Sequence, residues 1–399
     1  MYTNSRPDMN DAATCSGEYL IGEVNMIHDV DIKEIDLNKR YPGAFRRLLR
    51  DHSRFNTFKE QHPELNEEQL SEHVDDPKNL IIWATDDYGF RGDGYGFHDP
   101  ITVAKVTGEN GMLIRPRCEK TASEQSQRVR DKAEVFTPSW VCNVQNNLVD
   151  ESWFERKEVF NREKESDDVG HYWETNSEPI TVFPEGKTWR DYVCDKRLEV
   201  TCGEAPYLVS RYDATTGEYI DVKHRIGLLD RKLRIVSENC DKSSEWIKMA
   251  KVAYKSTYGF EWQGDNLLLA REALLYTFIE YYHEKFGKLP QPQSVDNIAY
   301  IISWNIWQMD GLKFVIPGTC HEWENEIKTE PSLFEEEIVE KRICPCPGCF
   351  SGDNKTHNGI YAIIRNWDVH ADRHKDEKGK IGKERCDIRF VNLVNVNSK

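Results

Sequence analysis

The 399-residue sequence lacks any apolar run close to the roughly 18 to 20 residues that a membrane-spanning helix needs. Its first residues, MYTNSRPD, are polar and do not resemble an apolar signal segment. Its 11 cysteines are odd in number and scattered apart from one tight group, which argues against the disulfide framework of a secreted protein. We therefore expect a cytoplasmic protein that makes no contact with a membrane.

Positive charge is also scarce. The chain has 53 Lys and Arg against 69 Asp and Glu, a formal net charge of −16 at pH 7. Nonspecific nucleic-acid binding depends on neutralising phosphates, so this composition argues against a generally basic surface. One short stretch is nevertheless basic and is the candidate nucleic-acid contact; its members are Arg115, Arg117, Arg128, Arg130 and Lys132. The alternative interpretation of this stretch is an ordinary solvated loop or helix.

Apolar and aromatic side chains are present in quantity. Hydrophobic residues make up 38% of the chain and aromatic residues 11%, which suffices for a packed core. At this length we expect two or three domains. The motifs divide the chain into an α+β N-terminal region (1–130) that includes the candidate DNA contact, a central α/β domain (131–315) and a small Cys/His-rich C-terminal module (316–399).

The central region alternates strand-like and helix-like segments. Thr137 is a candidate N-cap and Pro138 suits the first turn of a helix over 139–154. A short strand is predicted at 198–203, and an amphipathic helix at 266–286. This alternation predicts a parallel sheet that carries helices and binds small ligands at the carboxyl ends of its strands.

Three further segments have a recognisable pattern. Residues 41–58 have helical character, and 79–84 (NLIIWA) is a continuous apolar run that predicts a buried strand. Residues 298–307 (IAYIISWNIW) fit either a helix or a strand.

Four short segments follow one another in the central region: AEVFTPSW at 133–140, LEVTCGEAPYL at 198–208, YGFEWQGDNLLLAR at 258–271 and IWQMDGL at 306–312. In this order they resemble the cofactor half of an S-adenosylmethionine-dependent DNA adenine-N6 methyltransferase, and in particular the methylation subunits of restriction-modification systems. The resemblance implies a Rossmann-like class I methyltransferase sheet with helices on both faces. An insertion at about 212–256 would interrupt it, because the second and third segments are too far apart for a compact βαβ unit.

The resemblance also implies a cofactor, S-adenosylmethionine, and a role for eight residues. The family's Phe-Thr-Pro segment touches the methionine end of the cofactor, its glycine turn passes under the cofactor, and two acids hold the ribose and lie beside the adenine. The matching residues here are Phe136, Thr137 and Pro138, then Thr201, Cys202 and Gly203, then Glu261, and finally Asp310.

The sequence departs from the family pattern in two places near the turn and in one at the catalytic motif. Ala205 and Pro206 replace the second glycine of the turn, and Glu199 lies two residues earlier than the family's acid. The Asn-Pro-Pro-Tyr-type tetrad that positions the target adenine does not occur in the sequence. The nearest substitute is Asn366 followed by Trp367, which supplies an amide and an aromatic ring without the prolines.

The resemblance therefore implies one of two activities on double-stranded DNA. The first is an adenine-N6 methyltransferase of a restriction-modification or phage-related system, either as a complete enzyme or as the cofactor-binding half of a split enzyme. In that case a second subunit carries the tetrad, or a restriction subunit accompanies the chain. The alternative is a non-catalytic DNA-binding accessory subunit.

The tight cysteine group lies near the C-terminus. Cys344, Cys346, Cys349 and His357 have spacings that permit a structural zinc site, and Cys320 or Cys386 is a further source of a ligand. The alternatives are free thiols and a redox role. Because Asn358 and Gly359 follow His357, a restriction nuclease acting through this module is a third hypothesis for the function.

Overall fold

The computed structural model describes residues 31–132, 134–168, 170–328, 339–368, 374–375, 381–382 and 387–394. Up to residue 132 the described chain is helical, with α1 (Glu34–Arg40), α2 (Pro42–Leu48), α3 (His52–Gln61), α4 (Glu67–Glu72), α5 (Val103–Val106) and α6 (Ala122–Lys132). The expectation of an α+β N-terminal region is wrong for these residues, because only isolated β-bridges accompany the helices.

The helical prediction for 41–58 is confirmed, with a break between α2 and α3. Asp51 causes the break, since its side chain accepts hydrogen bonds from the backbone N–H groups of Ser53 and Arg54 and so caps α3. The fourth helix begins with a capping box, in which Asn66 and Gln69 bond to each other's backbone N–H.

Residues 79–84 are buried, as predicted, but they do not form a strand of a sheet. Their main chain makes isolated bridges, and the side chain of Gln308 takes the place of a neighbouring strand. Its Oε1 accepts from the N–H of Ile82 at 3.0 Å, and its Nε2 donates to the Ile82 carbonyl at 2.8 Å. An apolar run thus predicts burial correctly but does not reveal which groups form hydrogen bonds with its backbone N–H and carbonyl groups.

The centre of the molecule begins with α7 (Ser139–Phe154), an exposed hairpin of β1 (Asn161–Ser166) and β2 (Gly170–Thr175), and α8 (Trp189–Cys194). The bounds of α7 agree with the sequence prediction. Its N-cap, however, is Pro138 rather than Thr137, and the carboxylate of Asp213 accepts a hydrogen bond from the first N–H, that of Ser139, at 2.7 Å.

A three-stranded parallel sheet follows, in the order β3 (Arg197–Glu199), β4 (Thr257–Glu261), β5 (Ile306–Gln308). Between β3 and β4 the chain forms α9 (Leu228–Asn239) and α10 (Ser243–Lys255), and between β4 and β5 it forms α11 (Gly264–Phe286) and α12 (Pro292–Asn305). The fold is therefore mixed α/β with a parallel sheet. The predicted insertion at 212–256 contains α9 and α10, the helices of the connection that parallel strands require.

The core is built around α11. The sequence 266–286 predicts an amphipathic helix, but this helix is buried along almost its whole length, because α2, α9, α12 and the sheet all pack against it. Among its buried charges, Glu280 is paired: it bonds to Arg211 at 2.8 Å and to Arg225 at 2.6 Å. The segment 298–307 contains both predicted structures, since α12 ends at Asn305 and β5 begins at the next residue.

The C-terminal part packs onto the sheet rather than enclosing a large core of its own. It contains β6 (Trp323–Lys328), β7 (Val339–Cys344), α13 (Pro347–Ser351), β8 (Ile363–Arg365), β9 (His374–Lys375), β10 (Ile381–Gly382) and β11 (Asp387–Arg389). Ala362 and Ile364 pack against Phe260 and Trp307 of the sheet. Among the described residues no helix has the combined length and apolar character that crossing a bilayer requires.

Candidate functional site

A cavity of about 580 Å³ lies where β3 and β4 end, at the carboxyl edge of the parallel sheet. This is the edge at which open α/β sheets bind ligands. The structure brings six of the eight residues assigned to the cofactor together in its lining: Phe136, Thr137, Thr201, Cys202, Gly203 and Glu261. The volume falls within the range of about 300 to 1,000 Å³ typical of small-molecule sites.

The turn after β3 forms one side of this cavity and has an unusual backbone. Thr201, Gly203 and Ala205 have positive φ angles of 50°, 53° and 63°. Glycine adopts this conformation freely, but for threonine and alanine it costs energy, and such strained residues concentrate at functional sites. The N–H of Cys202 donates to the carbonyl of Phe260 at 2.8 Å, which holds the turn against β4.

Glu261 ends β4 and is only 7% exposed. Its Oε2 accepts a hydrogen bond from the N–H of Gly203 at 2.9 Å, and its Oε1 accepts from the N–H of Gln263 at 3.2 Å. Burial raises the pKa of Glu261, while these two N–H groups act in the opposite direction. Since each carboxylate oxygen can accept a second hydrogen bond, Glu261 retains the capacity to bind hydroxyl groups in the cavity.

Glu199 is a cavity residue that the sequence reasoning set aside. It ends β3, lines the cavity and accepts weak hydrogen bonds from the N–H groups of Tyr207 (3.4 Å) and Leu208 (3.2 Å). Burial raises the pKa of Glu199 well above its usual range, and the nearby charge of Glu261 raises it further. The sequence prediction extended this strand to residue 203, so the end of β3 at Glu199 was not apparent before the structure.

The remaining walls combine aromatic and amide groups, which sequence reasoning also missed. Phe97 and Trp262 meet edge to face, with 6.4 Å between ring centroids, and the indole N–H of Trp262 donates to the Ala84 carbonyl at 3.1 Å. Gln263 and Asn266 follow at the start of α11. The cavity therefore offers two carboxyl groups, a strained backbone turn and an aromatic surface.

Asp310 does not line this cavity. Its Oδ1 accepts hydrogen bonds from the N–H groups of Leu312 (2.9 Å) and Lys313 (3.1 Å), so it stabilises the Asp-Gly turn after β5. The assignment of Asp310 beside an adenine is therefore not supported by its position. Pro138 is the N-cap of α7 and adjoins the cavity residue Thr137 without lining the cavity itself.

Asn366 and Trp367 lie at the opposite edge of the sheet from this cavity, so the structure does not bring the predicted catalytic pair together with the predicted cofactor residues. Asn366 lines a separate cavity together with Arg197, the first residue of β3. The indole N–H of Trp367 donates to the Oδ1 of Asn305, directly before β5, at 2.8 Å. Neither side chain belongs to the lining of the cavity at the carboxyl edge.

The basic stretch is mostly engaged within the protein. Arg128 is buried and pairs with Glu134 (2.6 Å), Asp87 (2.8 Å) and Asp265 (2.9 Å), so it is not available for a phosphate. Arg115 pairs with Glu124 at 3.0 Å.

Arg117 also acts inside the protein. It donates to the Glu134 carbonyl at 2.9 Å and lies over the ring of Phe136. Of the five candidates only Arg130 and Lys132 are exposed; Arg130 pairs with its neighbour Asp131. Lys132 is part of the cavity lining.

A second site is formed by Cys320, Cys346, Cys349 and His357, whose ligand atoms all lie within 4.8 Å of one another. The His357 Nδ1 is 3.5, 3.4 and 3.7 Å from the three sulfurs, in that order. A tetrahedral zinc ion with ordinary bond lengths places sulfur and nitrogen ligands about 3.6 Å apart. These four side chains can therefore hold a metal ion.

The structure puts Cys320, rather than Cys344, in this group. Cys344 is the last residue of β7 and is paired with Trp323, outside the four-residue cluster. The other alternative, Cys386, lies outside the described residues. Although burial acts to raise it, hydrogen bonds from the Asn358 N–H and other donors lower the pKa of Cys346 to about 6, which favours the thiolate that binds metals.

Comparisons with protein-family models, with curated proteins and with solved structures found no match to this chain. The geometry of the two sites is therefore the basis for assigning a function.

Proposed function

We propose that the chain binds S-adenosylmethionine in the cavity at the carboxyl edge of the sheet and belongs to a DNA adenine-N6 methyltransferase. The observation that carries the proposal is that six residues assigned to this cofactor from three separated sequence segments line one cavity. A shared cavity was not a necessary consequence of the sequence order, since Asp310 and Pro138 are absent from its lining.

The chemistry of the cavity suits a sulfonium nucleoside. Glu261 has free lone pairs for ribose hydroxyls, and the carboxyl group of Glu199 provides a second acceptor nearby. The turn at Gly203 brings backbone close to the cavity. When bound, S-adenosylmethionine supplies an electrophilic methyl group, and the role of these residues is to hold and orient it.

The position of the aromatic residues supports a planar base as the methyl acceptor. Trp262 is 37% exposed and lines the cavity beside Phe97, so a base extruded from a duplex has a ring on which to stack. A Rossmann-like relationship is part of the proposal; the three parallel strands support it by placing the cavity at their carboxyl ends.

The form of enzyme that we favour is a split one. The sequence has no Asn-Pro-Pro-Tyr-type tetrad, and Asn366 with Trp367 lies at the wrong edge of the sheet to replace it. The strongly acidic charge of −16 also leaves Arg130 and Lys132 as weak support for a DNA contact. Both points favour a second subunit that carries the tetrad and contributes to DNA binding.

We further infer that the metal held by the Cys/His cluster is zinc and that its role is structural. Three thiolates and one imidazole fill a closed tetrahedral site, which leaves no position for a substrate. The same geometry argues against a nuclease in which His357 is a general base, because its Nδ1 faces the three sulfurs.

Isothermal titration of the purified chain with S-adenosylmethionine tests the proposal. We expect binding, and we expect Glu261→Ala to weaken it by about 10- to 100-fold, the usual effect of losing hydrogen bonds to a charged group. Asp191→Asn is the matched control, since Asp191 forms the capping box of α8 with Thr188 and does not line the cavity. Absence of binding to the unmodified chain would refute the proposal.

Methyl transfer to DNA, measured with and without the product of a neighbouring reading frame, distinguishes a complete enzyme from a split one. Activity that appears only with the second protein supports the split form. An S-adenosylmethionine-binding chain that supports no transfer in either mixture would favour the accessory subunit.

A further inference from the structure

The metal site and the cavity approach each other at Gly318, two residues before Cys320. A Cβ placed on Gly318 would lie 2.6 Å from ring atoms of both Phe97 and His98, and its φ of 68° is also unfavourable for other residues. Only glycine allows the chain to pass this close to Phe97. Phe97 lines the cavity, so the segment that carries a metal ligand lies directly behind the cavity wall.

This segment is fastened to the segment that carries the histidine ligand. The Thr319 hydroxyl accepts a hydrogen bond from the N–H of Ile360 at 3.0 Å and donates to the carbonyl of Ile316 at 2.7 Å. The N–H of Ile316 in turn donates to the Ile360 carbonyl at 2.7 Å. Residues 316–320 and 357–361 are thus joined by hydrogen bonds at one end and by the metal ligands at the other.

Ile316 connects this pair of segments to the cavity. It forms a small buried cluster with Ile82 and Ala84, against which Phe97 and Ile360 pack. Ala84 lines the cavity, and its carbonyl accepts the indole N–H of Trp262. We call Phe97 and Trp262, together with Ala84, whose carbonyl holds the Trp262 indole, the aromatic wall of the cavity.

From these contacts we infer that the metal centre holds the aromatic wall of the cavity in place. Among the described residues, the apolar cluster that joins these segments to the cavity has three buried members, Ile82, Ala84 and Ile316, too few to fix the two ligand-bearing segments by packing alone. A zinc ion that joins Cys320 to Cys346, Cys349 and His357 supplies the missing constraint. Loss of the metal therefore loosens Phe97 and Ala84, although neither touches it.

The inference rests on the zinc assignment but not on the identity of the cofactor. Hydrogen exchange with mass spectrometry, on the full chain with zinc and after chelation, measures how much the aromatic wall loosens when the metal is lost. This measurement needs no cavity ligand. The reporters are the amides of Trp83 and Ala84, which donate to the carbonyls of Asp99 and Phe97 at 3.0 and 2.9 Å. We expect these amides to exchange at least about tenfold faster without metal and to recover when zinc is restored.

Peptides from α11 are the internal control, and we expect their exchange to be unchanged. Cys320→Ser should reproduce the effect of chelation, whereas Cys344→Ser, which removes a cysteine outside the cluster, should leave both zinc content and exchange unaltered. Zinc loss in Cys344→Ser, or a chain that takes up no zinc, would overturn the ligand assignment and with it the inference.

If chelation unfolds the whole chain, exchange rises everywhere and does not report on the aromatic wall. A second variant tests the inference in that case. Gly318→Ala keeps all four ligands but forces the segment away from Phe97. We expect it to retain one zinc per chain and to exchange about tenfold faster at Trp83 and Ala84. Unchanged exchange at these amides in the Gly318→Ala chain, or after chelation with α11 intact, would overturn the inference. Because no step uses S-adenosylmethionine, failure of the methyltransferase proposal would not alter this result.

Discussion

The carboxylate of Glu261 accepts a hydrogen bond from the backbone N–H of Gly203, with 2.9 Å between the two atoms. The residues are 58 positions apart in the sequence; Gly203 lies in the turn after β3, and Glu261 ends the neighbouring parallel strand β4. This bond fixes the strained turn after β3 relative to the end of β4. One carboxylate therefore helps to shape the cavity and also presents acceptors within it.

The strain of this turn is measurable. Thr201 has a φ of 50°, a conformation that costs a β-branched residue roughly 1 to 2 kcal/mol and costs glycine little. We expect Thr201→Gly to stabilise the chain by about 1 kcal/mol in urea unfolding, after allowance for the greater entropy of unfolded glycine. We also expect it to weaken ligand binding, because the turn is less constrained.

Glu155→Gly provides the comparison for Thr201→Gly. Glu155 has a φ of 57° at the end of α7 and does not line the cavity. It should show a similar gain in stability without any change in binding. A destabilised Thr201→Gly chain would mean that the threonine side chain contributes more than its backbone strain costs.

Arg128 provides a test of whether the basic stretch is structural. Its guanidinium pairs with Glu134, Asp87 and Asp265, of which Asp265 is fully buried. Removing one partner from such a network leaves uncompensated buried charge and typically costs about 3 to 5 kcal/mol. We expect Arg128→Met to lose stability on this scale in chemical denaturation.

Arg130→Met is the matched variant, since this side chain is exposed and, among the described residues, pairs with its neighbour Asp131. Its stability should change by less than about 0.5 kcal/mol. Equal stability of the two variants would contradict a structural role for Arg128. Because we expect Arg130→Met to keep its fold, this variant is the one in which to measure whether the basic stretch contributes to DNA affinity.

The order of short motifs was the most informative signal in the sequence. It located Phe136, Gly203 and Glu261, which are far apart in the chain and line one cavity. The bounds of α7 were also predictable from its local pattern, although Pro138 rather than Thr137 is its N-cap and the distant Asp213 accepts from its first N–H. Local patterns of this kind do not depend on knowing which elements meet in space.

Partners supplied by distant parts of the chain could not be predicted. Asp310 differs, because its partners are local: an Asp-Gly pair fits a turn as well as a ligand site, and the structure shows its carboxylate bonding to the N–H groups two and three residues later. Spacing favoured Cys344 as a metal ligand, but its place in β7 separates it from the cluster. Cys320 replaces it because residues 316–320 pair with residues 357–361, a long-range relationship.

The buried amine of Lys232 should make the free energy of unfolding depend on pH. Burial lowers its pKa to about 7, and its ammonium group donates to Ser256 Oγ at 2.7 Å. Between about pH 7 and the ordinary lysine pKa near 10.4, the unfolded chain binds a proton that the folded chain has released. The free energy of unfolding should therefore rise with pH across this window, and below pH 7 Lys232 should contribute no slope.

Urea unfolding between pH 6.5 and 9.5 measures the Lys232 effect. We expect the slope to decrease in Lys232→Met by an amount of order 1 kcal/mol per pH unit within the window. Lys285→Met is the control, because Lys285 pairs at the surface with the exposed Asp241. A slope that is the same in wild type and Lys232→Met would show that the buried amine keeps its proton in the folded chain.

Trp262 and Trp367 are the two candidates for the aromatic ring that stacks on the target base, and they lie at opposite edges of the sheet. Trp262 lines the cavity at the carboxyl edge of the sheet, whereas Trp367 is bonded to Asn305 at the amino edge. If a base stacks in the cavity, loss of the Trp262 ring should cost about 1 to 3 kcal/mol, or roughly 5- to 150-fold in methyl transfer. Trp262→Phe, which retains an aromatic face, should recover most of that loss.

Tritiated methyl transfer to unmethylated plasmid DNA, with the second subunit present where it is needed, measures this effect. We expect Trp262→Ala to be strongly impaired and Trp367→Ala to stay within about twofold of the unmodified chain. The reverse result would restore Trp367 to the catalytic role that the sequence suggested. It would also mean that substrate reaches the amino edge of the sheet, and that the cavity beside Glu261 serves another purpose.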